Sequence, residues 1–250
     1  MRTDAASNLL LAMADDETVL GWWHSEWTGI APMLEEDVAM SSIAQDEIGH
    51  ARFLYEIAAD RLGTTADRLA LGREPSGYRN AILVERRRGD WAHTIVRQWF
   101  YDEFDDLRTE ALTGSALVEL KNLIAKVRRE EKYHLLHTRA WMERLAAGGE
   151  VARARLQAAL ETLWPDALGL FEAPEVEGQA VKEGVSVTSS AALAERWTAR
   201  VRPVIEGLGL GVPAGAKATE GGRAGRHTSD FEYLWNEMTM VYRSDPAAVW

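Results

Sequence analysis

The sequence predicts an all-α protein: a four-helix bundle followed by additional C-terminal helices. Three observations predict it. Apolar residues recur at helical spacing through nearly all of residues 1–170, and strand-like alternation is absent. Four of the segments marked this way are about 24 residues or longer, which is bundle length rather than average helix length. Each successive pair is joined by a short break, the pattern of two antiparallel helical hairpins.

Taken in order, the first helix is predicted over residues 4–28, stopped by Gly29 and Pro32 in "GIAP". The second covers 34–62 and ends before Gly63. A polar stretch, "REPSGYRN", separates this hairpin from a third helix over 90–113, with Asp90 as its N-cap. "TGSA" turns the chain into a fourth helix over 116–147, closed by Gly148 and Gly149. A fifth helix reaches Phe171, and an irregular "EAPEVEGQAVKEGVSVT" follows. A sixth helix spans 189–207, then a Gly-rich loop, then a seventh helix over 228–243. The expected organisation is a bundle in residues 1–150 with a helical extension, 151–250, packed on it as a single domain. The loop "GLGLGVPAGAKATEGGRAG" has a superficial phosphate-binding look, but it lacks the Gly-Lys-Ser/Thr of a Walker loop and follows no strand.

Composition narrows the chemistry. The 250 residues contain no cysteine, so disulfides, thiolate zinc sites, iron–sulfur clusters and cysteine nucleophiles are excluded, and any metal must be held by oxygen and imidazole nitrogen. A net charge of −11 argues against a nucleic-acid binder, and its short basic runs, "ERRRGD" and "KVRRE", are flanked by acids. No apolar run approaches the roughly 20 residues that span a bilayer, and nothing resembles a signal peptide, so a cytoplasmic protein is expected. Ten tryptophans in an acidic chain suggest aromatic contacts between helices or subunits.

The candidate site begins in the second helix, where Glu47 and His50 stand three residues apart in "SSIAQDEIGHARFLYEIAADRL" and so share a face. A helix with Ile43, Ile48, Phe53, Leu54 and Ile57 to bury would not set an acid beside them without a partner. The fourth helix repeats the spacing in "VRREEKYHLLH", with Glu131 and His134. One Glu-x-x-His is usually a surface ion pair or a satisfied core histidine. Two, on the second helices of successive hairpins, match bundles that hold two metal ions with a Glu-x-x-His from each of two helices and one carboxylate from each of the others.

That hypothesis demands two more acids. In an antiparallel hairpin, residues equidistant from the turn sit at equal height, which selects Glu17 opposite Glu47 and Asp102 opposite Glu131. Thirty residues separate the first pair and twenty-nine the second. Glu26 is a rival to Glu17, but it lies too near the turn. Glu103 is a rival to Asp102, about 100° round the helix. Glu17, Glu47, His50, Asp102, Glu131 and His134 are the predicted ligands, a set suited to iron or manganese, with zinc the next candidate. Four carboxylates in an apolar interior would be destabilising unless metal or protons neutralised them.

The stretches "EWTGIAPMLEEDVAMSSIAQDEIGHARFLY", "HTIVRQWFYDEFDDL", "EEKYHLLHTRAWMERL" and "GGRAGRHTSDFEYLWNEM" together resemble the ferritin-like subunits of the bacterial phenylacetyl-CoA ring epoxidase, and most closely the C type. The resemblance covers essentially the whole chain. The last stretch is its most specific part, since no bundle function would make it recur. It implies a ferritin-like fold and a component of a multicomponent oxygenase that epoxidises the aromatic ring of phenylacetyl-CoA in aerobic phenylacetate catabolism. It further implies a catalytic A-type partner with a di-iron centre, other subunits, and a separate NADPH-dependent reductase. The C type is usually structural, with a degenerate metal site and no catalytic activity of its own implied. This chain departs from that pattern in carrying all six ligand residues. The alternative reading is an independent di-iron or di-manganese carboxylate oxidase or ferroxidase. A structural role predicts apolar faces buried only in a homo- or hetero-oligomer, with Trp22, Trp23, Trp99 and Trp141 as candidates.

Overall fold

The structure, a computed structural model, describes residues 4–245 and residue 248. The helices in chain order are α1 (Ala5–Ser25), α2 (Leu34–Leu62), α3 (Ala66–Leu71), α4 (Ile82–Glu85), α5 (Trp91–Leu112), α6 (Val118–Ala147), α7 (Glu150–Leu168), α8 (Glu177–Lys182), α9 (Ser190–Gly207) and α10 (Ser229–Ser244). No strand occurs among the described residues, so the fold class is all-α as expected, with long hairpins of the ferritin-like type. Among the same residues, no helix is long and apolar enough to cross a membrane.

The chain parts into two compact units. One comprises the described residues up to Arg87 together with those from Gly221 onward; the other is Arg88–Glu220. This is a division by contacts, distinct from the division by sequence order at residue 150.

In the first unit, α1 and α2 form the hairpin. The Asp4 side chain caps α1 by accepting from the Ser7 amide at 2.7 Å. Glu35, Glu36 and Asp37 place negative charge at the N-terminus of α2, which the helix dipole favours. Gly63 ends α2 at φ 64°, a left-handed conformation that glycine adopts without steric cost. The antiparallel register shows in the pairs that cross the hairpin. Thr28 and Ser41 hydroxyls lie 2.8 Å apart near the turn, the Tyr55 hydroxyl donates to Asp15 at 2.5 Å, and Arg61 reaches Asp4 at the far end, 2.9 Å away. The polar stretch read as a connection holds one short 3-10 turn, Pro75–Gly77, and is flanked by α3 and α4. Trp23 donates to the Glu85 carbonyl at 3.1 Å, tying α1 to α4.

In the second unit, α5 and α6 form the other hairpin, and α7 and α9 pack on α5. Asp90 caps α5 through the His93 amide at 2.9 Å. Behind α5 lies an aromatic cluster, with ring centroids 5.4–5.7 Å apart among Phe100, Trp164, Trp197 and Phe171, and Trp197 donates to the Phe100 carbonyl at 3.1 Å. Such pairs contribute about 0.5–1.5 kcal/mol each beyond simple burial. The Gly-rich segment is laid along α7: Arg153 donates to the Leu208 carbonyl at 3.1 Å, and Gln157 both donates to and accepts from Gly211. Two of its glycines, Gly209 and Gly211, sit where a Cβ would meet Arg153 and Gln157 of α7. The stretch read as irregular contains α8.

Two side-chain expectations change. Ile48 and Phe53, counted above among residues to be buried, are exposed, whereas Ile43 and Leu54 are buried. Trp23, Trp99 and Trp141, candidates for a partner-covered face, are buried within the chain itself, and Trp22 is half-buried. The size of Trp23, Trp99 and Trp141 makes them efficient fillers between helices, which removes these three as candidates for a docking face.

Candidate metal centre

Each unit carries half of the predicted ligand set. In the first, Glu17 projects from α1 and Glu47 and His50 from α2, all buried. The three offer ligand atoms within 4.8 Å of one another, and His50 Nδ1 lies 3.7 Å from Glu17 Oε2. Gly21 makes this approach feasible. A Cβ there would sit 2.9 Å from Ile48 Cγ1, 3.0 Å from Glu47 Cβ and 3.1 Å from the Ala44 carbonyl oxygen, so a larger residue would push α1 off α2 beside Glu47. Glu26, the rival to Glu17, is exposed at the C-cap of α1.

In the second unit, Asp102 projects from α5 and Glu131 and His134 from α6, again buried. His134 Nδ1 is 3.4 Å from Glu131 Oε2. The Thr138 hydroxyl donates to Asp102 Oδ2 at 2.7 Å, and the Gln98 amide donates to Oδ1. Burial pushes the Asp102 carboxyl well above the usual carboxylate range; the nearby His134 works against that shift and Glu131 adds to it. The rival Glu103 is committed elsewhere, to Arg139 at 2.7 Å and to the Trp99 indole N–H at 3.0 Å.

Each half thus presents two carboxylates and one imidazole on a rigid hairpin. Hard oxygen donors with a single histidine suit Fe2+ or Mn2+, and the burial of these acids is what a resident cation would offset.

Sequence reading missed the polar shell behind the first half. Asp15 accepts from Tyr55, from the Arg79 amide at 2.7 Å and from Arg73. Asp16 receives both Arg223 guanidinium nitrogens at 2.8 Å and the Ala81 amide at 2.8 Å. Glu85 pairs with His227 at 2.6 Å. The legible signal was "LLLAMADDETVL", three consecutive acids inside an otherwise apolar helix. The partners, 40 to 207 residues away, were not legible.

The whole chain, residues 1–250, matches the model of a family described as phenylacetic acid catabolic protein, and the chain belongs to that family. Among curated proteins, it is similar to the C component of the 1,2-phenylacetyl-CoA epoxidase of Escherichia coli (strain K12), 34% identical over 241 residues, covering 96% of this chain and 97% of the relative. It is also similar to the A component of the epoxidase from the same organism, 24% identical over 195 residues, covering 76% of this chain and 62% of that relative.

Proposed function

We propose that this chain is the C-type component of a phenylacetyl-CoA epoxidase, a cytoplasmic oxygenase of phenylacetate catabolism, working with a catalytic A-type partner and a separate reductase. The end-to-end likeness to a C component of matching length carries this reading, against a likeness to the A component that leaves over a third of that relative uncovered. An aliphatic face supports the partner. Ile30 and Met33 before α2, then Leu34, Val38 and Ile48 along it, are exposed, and the last three lie within about 80° of arc on the helix. That is the type of surface which a partner protein covers.

Within this reading, Glu17, Glu47 and His50 together with Asp102, Glu131 and His134 hold two metal ions, iron before manganese. Bound iron would supply redox and oxygen-activating chemistry. The chain's own residues provide the donor atoms, and their burial keeps water from competing for them. The second reading, an independent oxidase or ferroxidase, is favoured by one observation, the completeness of the donor set on both hairpins.

One set of measurements separates the two. The chain is purified with and without an A-type partner, iron is added anaerobically, and metal content, Tm and turnover are measured. The C-type reading expects a stable complex with the partner, no epoxidation of phenylacetyl-CoA by this chain plus reductase alone, and a metal-dependent rise in Tm that shrinks as pH falls and protons compete for the ligands. Epoxidation without the A-type partner overturns it. Rapid Fe2+ oxidation by the chain alone supports the second reading, and no metal response at neutral pH removes the metal from both. A Glu47→Ala, Glu131→Ala double variant is expected to lose the metal response.

A further inference from the structure

The C-terminal stretch that carries the most specific part of the family likeness has a role in the fold that its sequence does not show. It lies against the α1 side of the metal-binding half-site. Gly222 passes so close to the Asn80 carbonyl oxygen that a Cβ would sit 2.2 Å from it, and Gly225, at φ 76°, passes equally close to Ser76. Those glycines let the backbone descend far enough for Arg223 to insert. Its side chain is buried, bridges both Asp16 oxygens at 2.8 Å, and donates to the Arg79 carbonyl at 2.8 Å and the Ala12 carbonyl at 3.2 Å. His227 and the Thr228 amide close on Glu85 just behind it.

The consequence follows from helix geometry. Asp15, Asp16 and Glu17 are consecutive, so their side chains fan through about 200° of the helix. Residues 10–17 are buried without interruption. A helix buried on all sides has no solvent-facing stripe to set its rotation about its own axis. The acids set it instead. Asp15 is fixed by Tyr55, Arg73 and the Arg79 amide, Asp16 by Arg223 and the Ala81 amide, and the third carboxylate is then presented to Glu47 and His50. Rotation by one residue would leave two buried carboxylates without their cations.

We propose that Arg223 is a positioning residue for the metal site: through Asp16 it locks the rotation of α1 that aims Glu17 at Glu47 and His50. The inference rests on the metal reading above, so its test separates the two. Co2+ is titrated into the full-length chain, followed by visible absorption at a temperature where every variant is folded. Arg223→Gln is expected to weaken Co2+ binding about 10- to 100-fold, the range for lost supporting contacts around a metal ligand. Arg223→Lys, which keeps the charge but cannot bridge both oxygens and reach two carbonyls, falls between. Leu163→Ala, a buried truncation in α7 of the other unit, serves as the control for general destabilisation and leaves Co2+ affinity unchanged. An Arg223→Gln variant that loses Tm yet binds Co2+ like the Leu163→Ala control overturns the proposal. If the wild type takes up no Co2+, the metal reading fails, and amide exchange decides the positioning claim. Residues 12–20 then exchange faster in Arg223→Gln than in Leu163→Ala, and equal protection overturns it. Should Arg223→Gln not fold, Arg223→Lys and an Asp16→Asn, Arg223→Met pair, which removes both charges together, take its place in both measurements.

Discussion

The two hairpins carry the same candidate ligand pattern, a Glu-x-x-His and one further carboxylate, on unlike supports. Behind α1 and α2, the support is ionic: buried Asp15, Asp16 and Glu85 are each held by a cation or imidazole from distant sequence. Behind α5 and α6, it is largely aromatic, with Phe100, Trp164 and Trp197 filling the space under α5. Ion pairs occur there too, Arg139 with Glu103 at the solvent edge and Arg108 with Asp105 buried, but their cations come from α5 and α6 themselves rather than from distant sequence. Ionic support is directional and fixes a helix's rotation, at a desolvation cost. Aromatic support is tolerant of small rotations and contributes more net stability per contact. The same Glu-x-x-His motif can therefore be rigid for different reasons in one molecule.

The sharpest way to break this comparison is to remove aromatic support. Trp197→Ala deletes a fully buried indole and its bond to Phe100, which is expected to cost about 3–5 kcal/mol. Denaturant unfolding gives the size of the loss. Amide exchange should show protection lost first in α5 and α9; equal loss in α1 and α2 would mean the two supports are not separate.

Next in size is Gly21→Ala. Its new methyl meets Ile48, Glu47 and the Ala44 carbonyl, and overpacking of this kind costs about 1–3 kcal/mol. Because it separates α1 from α2 beside Glu47, it should also weaken metal uptake more than a surface substitution of equal stability effect. Metal affinity unchanged from wild type would show that the close helix approach is not needed for the donor geometry.

The smallest effect concerns Asp102, and its sign is opposite. Burial raises this carboxyl, so the folded state holds the proton more tightly than the unfolded one. Stability from this group is fully present below the unfolded value near 3.9 and is lost as pH rises through the raised folded value. Asp102→Asn in metal-free protein should therefore show a small net gain in stability at neutral pH, relief of the buried charge being partly offset by the disturbed Thr138 and Gln98 hydrogen bonds, and the gain should vanish in acid. A variant less stable than wild type at neutral pH would show that the Thr138 and Gln98 hydrogen bonds outweigh the buried charge.

By itself, the sequence determined the local structure. Helical periodicity together with Asp90, Gly63, Gly148 and Gly149 placed the long helices, because caps and left-handed glycines act over a few residues and need nothing distant. It also made both Glu-x-x-His pairs visible, since three-residue spacing is itself a statement about a helix face. The heights of Glu17 and Asp102 followed from the hairpin turns. What only the tertiary structure decided is which acid has which partner. Glu103 is taken by Arg139, Asp102 is left facing His134, and Asp16 waits for an arginine 207 residues further on. A carboxylate's role depends on the charge beside it, and that charge is brought by the fold from segments whose sequence separation carries no information about distance. The terminal "GGRAGRH" was conspicuous as a pattern, yet its glycines and Arg223 acquire meaning only when the chain returns to α1, where two close backbone passes let one guanidinium reach a buried acid.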